Sequence, residues 1–372
     1  MDYLIPSALF DGASLRTGVG FAIEDGIVTA VVPADVASGG HIARIPDIVT
    51  PGLFDTQVNG GGGVMLNNQP TREGVRAIAA AHRAAGTACI LPTVITDSAG
   101  VIERAALAVL EETGRGGVLG IHIEGPHISL AHKGTHNPAH IRPFDAATRT
   151  ILETLRRHRV PVLLTLAPET VPPGLIAELS AMGVVVSAGH TAADAATIRR
   201  AVAEGLRACT HLYNGMPAMS SRNPMATGAL IDSAVWCGFI ADGHHVDDTM
   251  LAIAVRARPV PDRMVLVSDA MSTIGGPDHF ELYGETIRVA DGRLVNAAGS
   301  LAGAHIDLRT SVERVLGRFD FPVESVLRMA TTNPRQMMGL PLPAIIGSRI
   351  DDLGRVSVGR PAAGSAKAQV GA

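Results

Sequence analysis

Residues 184–205 read VVVSAGHTAADAATIRRAVAEG, and the order of features in that stretch decides the fold. Val184 to Ser187 is a β-branched run suited to a buried strand. It ends in Gly189-His190-Thr191. A segment of helical period follows, with Thr191 as N-cap, Asp194 three residues later in an approximate capping box, and Gly205 at its close. The unit recurs along the chain. Apolar runs end near Asp55–Val58, Val94–Ile95, Ile121–Ile123, Leu163–Leu166, Val184–Ser187, Cys209–Thr210, Gly238–Ala241 and Met264–Val267, which makes eight. Helical patterns lie between them. Asp97 precedes Ile102, Ala106, Val109 and Leu110, the stripe of a core-facing helix, and Asp247 precedes Leu251, Ala254 and Val255. Eight strands alternating with helices over about residues 50–275 predict an α/β chain folded as a (β/α)8 barrel of the TIM type.

The flanks have a different texture. Residues 1–49 hold short strand patterns (SALFDG, VGFAIEDGIVTAVVP) separated by Gly and Asp turns. Residues 280–300 predict a hairpin insertion turning at Asp291-Gly292. Two helices are expected near 303–318 and 322–332, and from about 347 the chain returns to short, turn-rich segments. The expected division is a small β domain begun by residues 1–49, the barrel over 50–340, and the remainder of the small domain with an atypical tail over 341–372. Together the terminal segments should form a β-sandwich-like layer.

Composition narrows the function classes. With 47% hydrophobic and 18% charged residues in 372, the chain can bury a core and carries no signature of disorder. A net charge of −4 offers nucleic acid or an anionic membrane no electrostatic footing. No apolar run approaches the roughly 18–20 residues of a membrane span, and MDYLIPSALFDG lacks the basic and apolar regions of a signal peptide. Three well-separated cysteines, Cys89, Cys209 and Cys237, fit a reducing cytoplasm rather than a disulfide framework.

In such barrels chemistry sits where strands end. The first strand ends in Gln57-Val-Asn59 before Gly60 to Gly63, the third in Glu124-Gly-Pro126, and the fifth in Gly189-His190-Thr191. The sixth ends in His211-Leu-Tyr-Asn214, the seventh in Asp242-Gly-His-His245 and the eighth in Ser268-Asp269-Ala270. Two imidazoles and a carboxylate are a zinc-type ligand set that leaves a position open for water, so Glu124, His190 and His211 are the candidate metal ligands. A metal lowers the pKa of its water from about 15.7 towards 7, and Asp269 is placed to take that proton and later deliver it to a leaving group. Other histidines carry less. His82, His158 and His279 are expected to be solvated; His122 is either buried structure or a neighbour of the ligands; His127 is unassigned. His136 and His245, on loops at the same face, are expected to touch substrate.

At this point PGLFDTQVNGGGG, GIHIEGPHIS, HKGTHNP, SAGHTAAD, THLYNGMPAM, FIADGHHVD, LVSDAM, GSLAG and ATTNPRQMMGL resemble, in order, the motifs of N-acetylglucosamine-6-phosphate deacetylases of the amidohydrolase superfamily, over about residues 15–361. The resemblance implies hydrolysis of the acetamide of N-acetyl-D-glucosamine 6-phosphate to glucosamine 6-phosphate and acetate, in amino-sugar catabolism and recycling. It implies Glu124, His190 and His211 as ligands of one divalent metal per subunit, zinc first, with iron, manganese and cobalt open. Asp269 matches the catalytic acid/base. Thr135 and His136 match a pair at the substrate, with His136 polarising the acetyl carbonyl. Asn214 and Gly215 match the contact after the second histidine, and Leu301, Ala302 and Gly303 the loop that closes on the sugar. Arg222 and His245 match the phosphate grip, the arginine reaching over from the partner of a homodimer; a planar guanidinium can bind two phosphate oxygens at once.

Three departures matter. Many amidohydrolases carry His-x-His on the first strand for a second metal, where this chain has Gln57 and Asn59 beside the ligand set; amide side chains are poor ligands, so one tightly bound metal is expected. A carboxylated lysine bridge is excluded, because Lys133 and Lys367 are the only lysines and neither ends the fourth strand. His244 stands where relatives have an apolar residue, and the tail AAGSAKAQVGA lacks the family's closing apolar strand. The alternatives are another metal hydrolase of the same superfamily, such as a cyclic amidase acting on a substrate without phosphate, and, from other classes, a catalytically silent sugar-phosphate sensor and a metal-free phosphosugar isomerase.

Overall fold

A computed structural model describes residues 1–357 apart from 38, 39 and 298. Eight parallel strands make one sheet: Phe54–Val58, Cys89–Ile95, Ile121–Glu124, Val162–Leu166, Val185–Ala188, Ala208–Cys209, Trp236–Ile240 and Met264–Val267. They neighbour one another in chain order, and every predicted apolar run is one of them. The sheet curls so that its two edges meet: Val58 bridges Ala270 in parallel, and the Asn59 and Gly60 amides both donate to the Ala270 carbonyl, at 2.9 and 3.2 Å. The barrel is therefore a TIM-type α/β barrel, as the strand–helix alternation predicts.

Each crossover helix turns an apolar stripe to the sheet. Ala99–Glu112 buries Ile102, Ala106 and Val109 and is capped by Ser98, whose Oγ accepts from the Val101 amide. Asp248–Ala257 starts at Asp247, as predicted, and buries Leu251 and Ala254. The fifth crossover differs in one respect. Its N-cap is Asp194, which accepts from the Thr197 amide, and the helix runs Ala195–Ala203. Thr191 instead holds the preceding loop, donating to Glu169 and accepting from the Ala193 amide; two cap-capable residues three apart compete, and the one next to the helical stripe wins.

Side chains fill the barrel in layers. At its base Phe54, Leu91, Leu163, Val185, Ala208, Trp236 and Val265 form one cluster, stoppered by Met337 and Met338. Burying side chains of this size contributes about 1.5–3 kcal/mol each. A polar belt links the strands: His122 Nε2 lies 2.7 Å from Thr165 Oγ1, which lies 2.6 Å from Thr210 Oγ1, itself 2.6 Å from Ser187 Oγ. His122 is thus buried structure, and burial holds its pKa down to about 4, so the ring is neutral.

The N-terminal strands build two four-stranded sheets, one of them completed by Gly354–Val356 pairing antiparallel with Ile48–Thr50. Leu4, Phe21 and Val28 from one sheet share a core with Leu9 and Val49 from the other. The expected loss or replacement of a closing strand concerns the tail beyond residue 357, which lies outside the described residues. The insertion forms three antiparallel strands rather than a single hairpin: His279–Leu282, Glu285–Ala290 and Arg293–Val295. Its two turns, Tyr283-Gly284 and Asp291-Gly292, each place both residues at positive φ, the two-residue hairpin geometry that follows strand twist. After the expected helices, observed as Leu308–Arg318 and Val323–Ala330, a third at Thr332–Met338 was not anticipated; Pro334 interrupts its pattern but sits in the first turn, where its missing N–H costs nothing.

Candidate active site

The polar strand ends converge at the C-terminal mouth of the barrel around a cleft of about 630 Å³ open to solvent. Glu124, His190 and His211 meet there with little exposure. Glu124 Oε1 lies 3.2 Å from His190 Nε2 and 2.9 Å from His211 Nε2, and the two imidazole nitrogens are 3.1 Å apart. His190 Nδ1 faces the His132 carbonyl at 2.8 Å. That carbonyl can only accept, so Nδ1 carries a proton, and in the neutral ring, the form that can ligate a metal, Nε2 is left with a lone pair facing Glu124 and His211. A lone pair aimed at a carboxylate is repulsive unless positive charge lies between them. The three edges approach the roughly 3.3 Å expected between ligands at about 2.0 Å from a tetrahedral metal. The pull on positive charge also shows in His211, where burial opposes charging but Glu124 raises the pKa to about 9. This donor set fits a divalent cation, and all three ligand atoms lie within 4.8 Å of one another.

Asp269 faces this triangle across the barrel seam. Asn59 Nδ2 donates to its Oδ1 at 2.7 Å and Gln57 Nε2 at 3.0 Å, while the same Gln57 nitrogen reaches Glu124 Oε2 at 3.2 Å. The two amides tie the carboxylates together with donors. Burial, then the negative charge of Glu124, pushes the Asp269 carboxyl up to about 6. His190, His211 and Asp269 all have positive φ, at 48°, 30° and 52°. Left-handed backbone at such residues costs on the order of 1–3 kcal/mol each and persists only where the surroundings impose it.

Around the mouth, His136 is buried, its Nδ1 2.7 Å from Thr96 Oγ1 and accepting from the Thr96 amide at 3.4 Å. With Nδ1 accepting, Nε2 carries the proton. His245 is held by Asp242, Nδ1 to Oδ2 at 2.6 Å, and the adjacent His244 is exposed. Thr135, His136, Asn214, Gly215, His245, Leu301 and Gly303 line the cleft with Asn59, Glu124, His190, His211 and Asp269. Three predicted positions do not line it. Gln57 lies beneath, touching it through hydrogen bonds. Ala302 is buried in the cluster under the insertion with Phe280 and Met271. Arg222 is exposed, on the loop before Met225–Ile231.

Sequence reasoning missed several contributors. Ile95, Gly134 and Met271 line the cleft; Gly134 and Met271 lie inside quoted motifs and Ile95 ends a predicted strand, but an apolar wall has no chemical signature in sequence. His82 is fully buried rather than solvated, with Nε2 2.9 Å from the Gly60 carbonyl. It sits on the stripe of Val75 and Ile78 along Arg72–Ala84, a spacing that could have shown it. His127 is structural, bonded to Arg142 O and Thr148. His158 and His279 are at the surface, as expected.

A barrel with this strand-end set is a metal-dependent hydrolase, and residues 48–362 match the amidohydrolase family. An N-acetylgalactosamine-6-phosphate deacetylase of Shewanella sp. (strain ANA-3) is 38% identical over 86% of this chain and 82% of its own. The N-acetylglucosamine-6-phosphate deacetylase of Haemophilus influenzae is 30% identical over 86% and 84%. The crystal structure of N-acetyl-D-glucosamine-6-phosphate deacetylase from Mycobacterium smegmatis superposes with a TM-score of 0.85 and 27% identity, covering 97% of this chain and 99% of that one. The chain belongs to the amidohydrolase family, within its N-acetylglucosamine/galactosamine-6-phosphate deacetylases.

Proposed function

We propose that the protein hydrolyses the acetamide of N-acetyl-D-glucosamine 6-phosphate, giving D-glucosamine 6-phosphate and acetate. The observation that carries the reading is the meeting of Glu124, His190 and His211 beside Asp269 in one cleft. One divalent cation, zinc in this reading, would be held by Glu124, His190 and His211, and would lower the pKa of water and polarise the carbonyl. Asp269 takes the proton of the attacking water on its carboxylate and returns it to the departing nitrogen. His136 donates from Nε2 to the acetyl oxygen as negative charge builds there, a contribution of a few kcal/mol. Thr135, Asn214 and Gly215 position the sugar, and the Leu301–Gly303 segment closes on it. His245 and an Arg222 from the partner of a homodimer hold the phosphate; the exposure of Arg222 within one chain supports a role across subunits. A cytoplasmic setting is supported by three cysteines that form no disulfide. The small β domain, begun by residues 1–49 and joined by Gly354–Val356, is assigned to stabilising the 50–340 barrel.

A second reading has its own support: the 38% identical Shewanella relative is named for the galactosamine sugar. The sugars differ only at C4, so the deciding measurement is acetate release by metal-loaded enzyme from both 6-phosphates and from unphosphorylated N-acetylglucosamine. We expect turnover of the phosphorylated sugars only, abolished by exhaustive chelation and restored by added zinc. Full activity after chelation, or equal turnover without phosphate, would overturn the reading; a strong preference for the galactosamine phosphate would select the second.

A further inference from the structure

Asp55 is a buried carboxylate that the proposed chemistry does not use. It lies on the first barrel strand with no exposure, one side of the seam where the barrel's two edges meet. Its Oδ1 accepts from the Gln57 amide at 3.1 Å, and both oxygens accept from the Ser268 amide, at 3.3 and 3.1 Å. Backbone pairing across the seam begins one residue later, with the Asp269 amide on the Gln57 carbonyl at 3.1 Å. The Asp55 side chain thus supplies the acceptor for Ser268, where the seam has no carbonyl to offer. Ser268 is the hinge of the turn: its Oγ accepts from the Ala270 amide at 3.1 Å. Asp269 follows at positive φ, its carbonyl accepting from Ala304 at 3.0 Å.

We propose that Asp55 is a positioning residue that clamps the Ser268–Asp269 turn to the first strand, and so fixes the aim of the Asp269 carboxylate between Gln57 and Asn59. The same carboxylate holds the Gln57 amide, so one side chain sets both the acid/base and the residue that bridges it to Glu124. Retaining a charge-capable group in full burial is costly unless its hydrogen bonds serve a purpose. A residue whose role is only to fill the seam could be apolar. The inference rests on the deacetylase reading for its kinetic test, but not for its structural one.

The experiment compares Asp55→Asn and Asp55→Ala, alone and combined with Asp269→Asn. Asparagine keeps one acceptor and turns an amide donor against an N–H. We expect kcat to fall by roughly 100-fold in the alanine variant and by less in asparagine, since small misplacements at a reacting group cost that much. KM and bound metal should stay within about twofold, and neither change should reduce the rate further once Asp269 is asparagine. A kcat unchanged in Asp55→Asn, or losses that multiply in the double variant, would overturn the proposal. Should the alanine variant not fold, the asparagine pair completes the cycle. A crystal structure of Asp55→Asn supplies the independent arm: the Asp269 carboxylate should leave Asn59 Nδ2 or Gln57 Nε2. An unmoved Asp269 there defeats the proposal whatever the wild-type enzyme hydrolyses, whereas inactive wild type with a displaced Asp269 defeats only the deacetylase reading.

Discussion

At the scale of the residue, the site is arranged by who donates and who accepts. Gln57 and Asn59 put three amide hydrogen bonds onto two carboxylates that would otherwise repel across the mouth. Where a second cation would neutralise that repulsion, donors do so instead. A carboxyl pushed up to about 6 by burial and a negative neighbour suits proton exchange near neutrality. Replacing Asp269 by asparagine should leave metal content and sugar-phosphate binding intact while turnover falls by about 100- to 10,000-fold, the range for a lost general acid/base. Metal analysis, ligand titration and acetate release check this together, and near-normal turnover would remove Asp269 from the reaction.

At the scale of the element, each strand contributes a polar terminus and each helix an apolar stripe, and the joints between them carry function. Ser98 caps Ala99–Glu112 by accepting from the Val101 amide at 3.3 Å, directly after the second strand delivers Thr96 to His136. Ser98→Ala should lower unfolding free energy by about 1 kcal/mol, the usual loss of a hydroxyl cap, with kcat unchanged. Denaturant titration and kinetics on one preparation check both halves. The insertion is tied in as well: Tyr283 donates to the Thr96 carbonyl, so the three-stranded sheet braces the same Thr96 that orients His136.

At the scale of the molecule, two properties are testable. In a homodimer with Arg222 crossing over, Arg222→Ala and Asp269→Asn subunits should each be impaired alone. Mixed, they should recover roughly a quarter of wild-type rate at low substrate, since half the dimers are hybrids with one intact site. No recovery would place the phosphate grip within one subunit. The second property is pH dependence of stability. Burial raises Asp55 from an ordinary 3.8 to about 7 in the folded chain. The folded state therefore binds the proton more tightly than the unfolded one. Its contribution is complete below about 3.8 and is lost as pH rises through about 7, amounting to about 4 kcal/mol in all. Wild type should thus show a steeper decline in unfolding free energy between pH 5 and 8 than Asp55→Asn; parallel slopes would contradict it.

The barrel and the meeting of Glu124, His190, His211 and Asp269 were legible in residue order, because strand–helix alternation leaves little choice of topology and every strand end faces one way. His82 was misread because one histidine in a helix looks solvated until its stripe is traced, and Thr191 because capping is a competition settled by the neighbouring turn. The hydrogen bonds of Gln57, Asn59 and Asp55 join residues more than 60 or 200 positions apart. Chain periodicity reports which face a side chain takes along its own element. Which donor it meets across the closed seam depends on how the first and eighth strands come together, and only the folded barrel decides that.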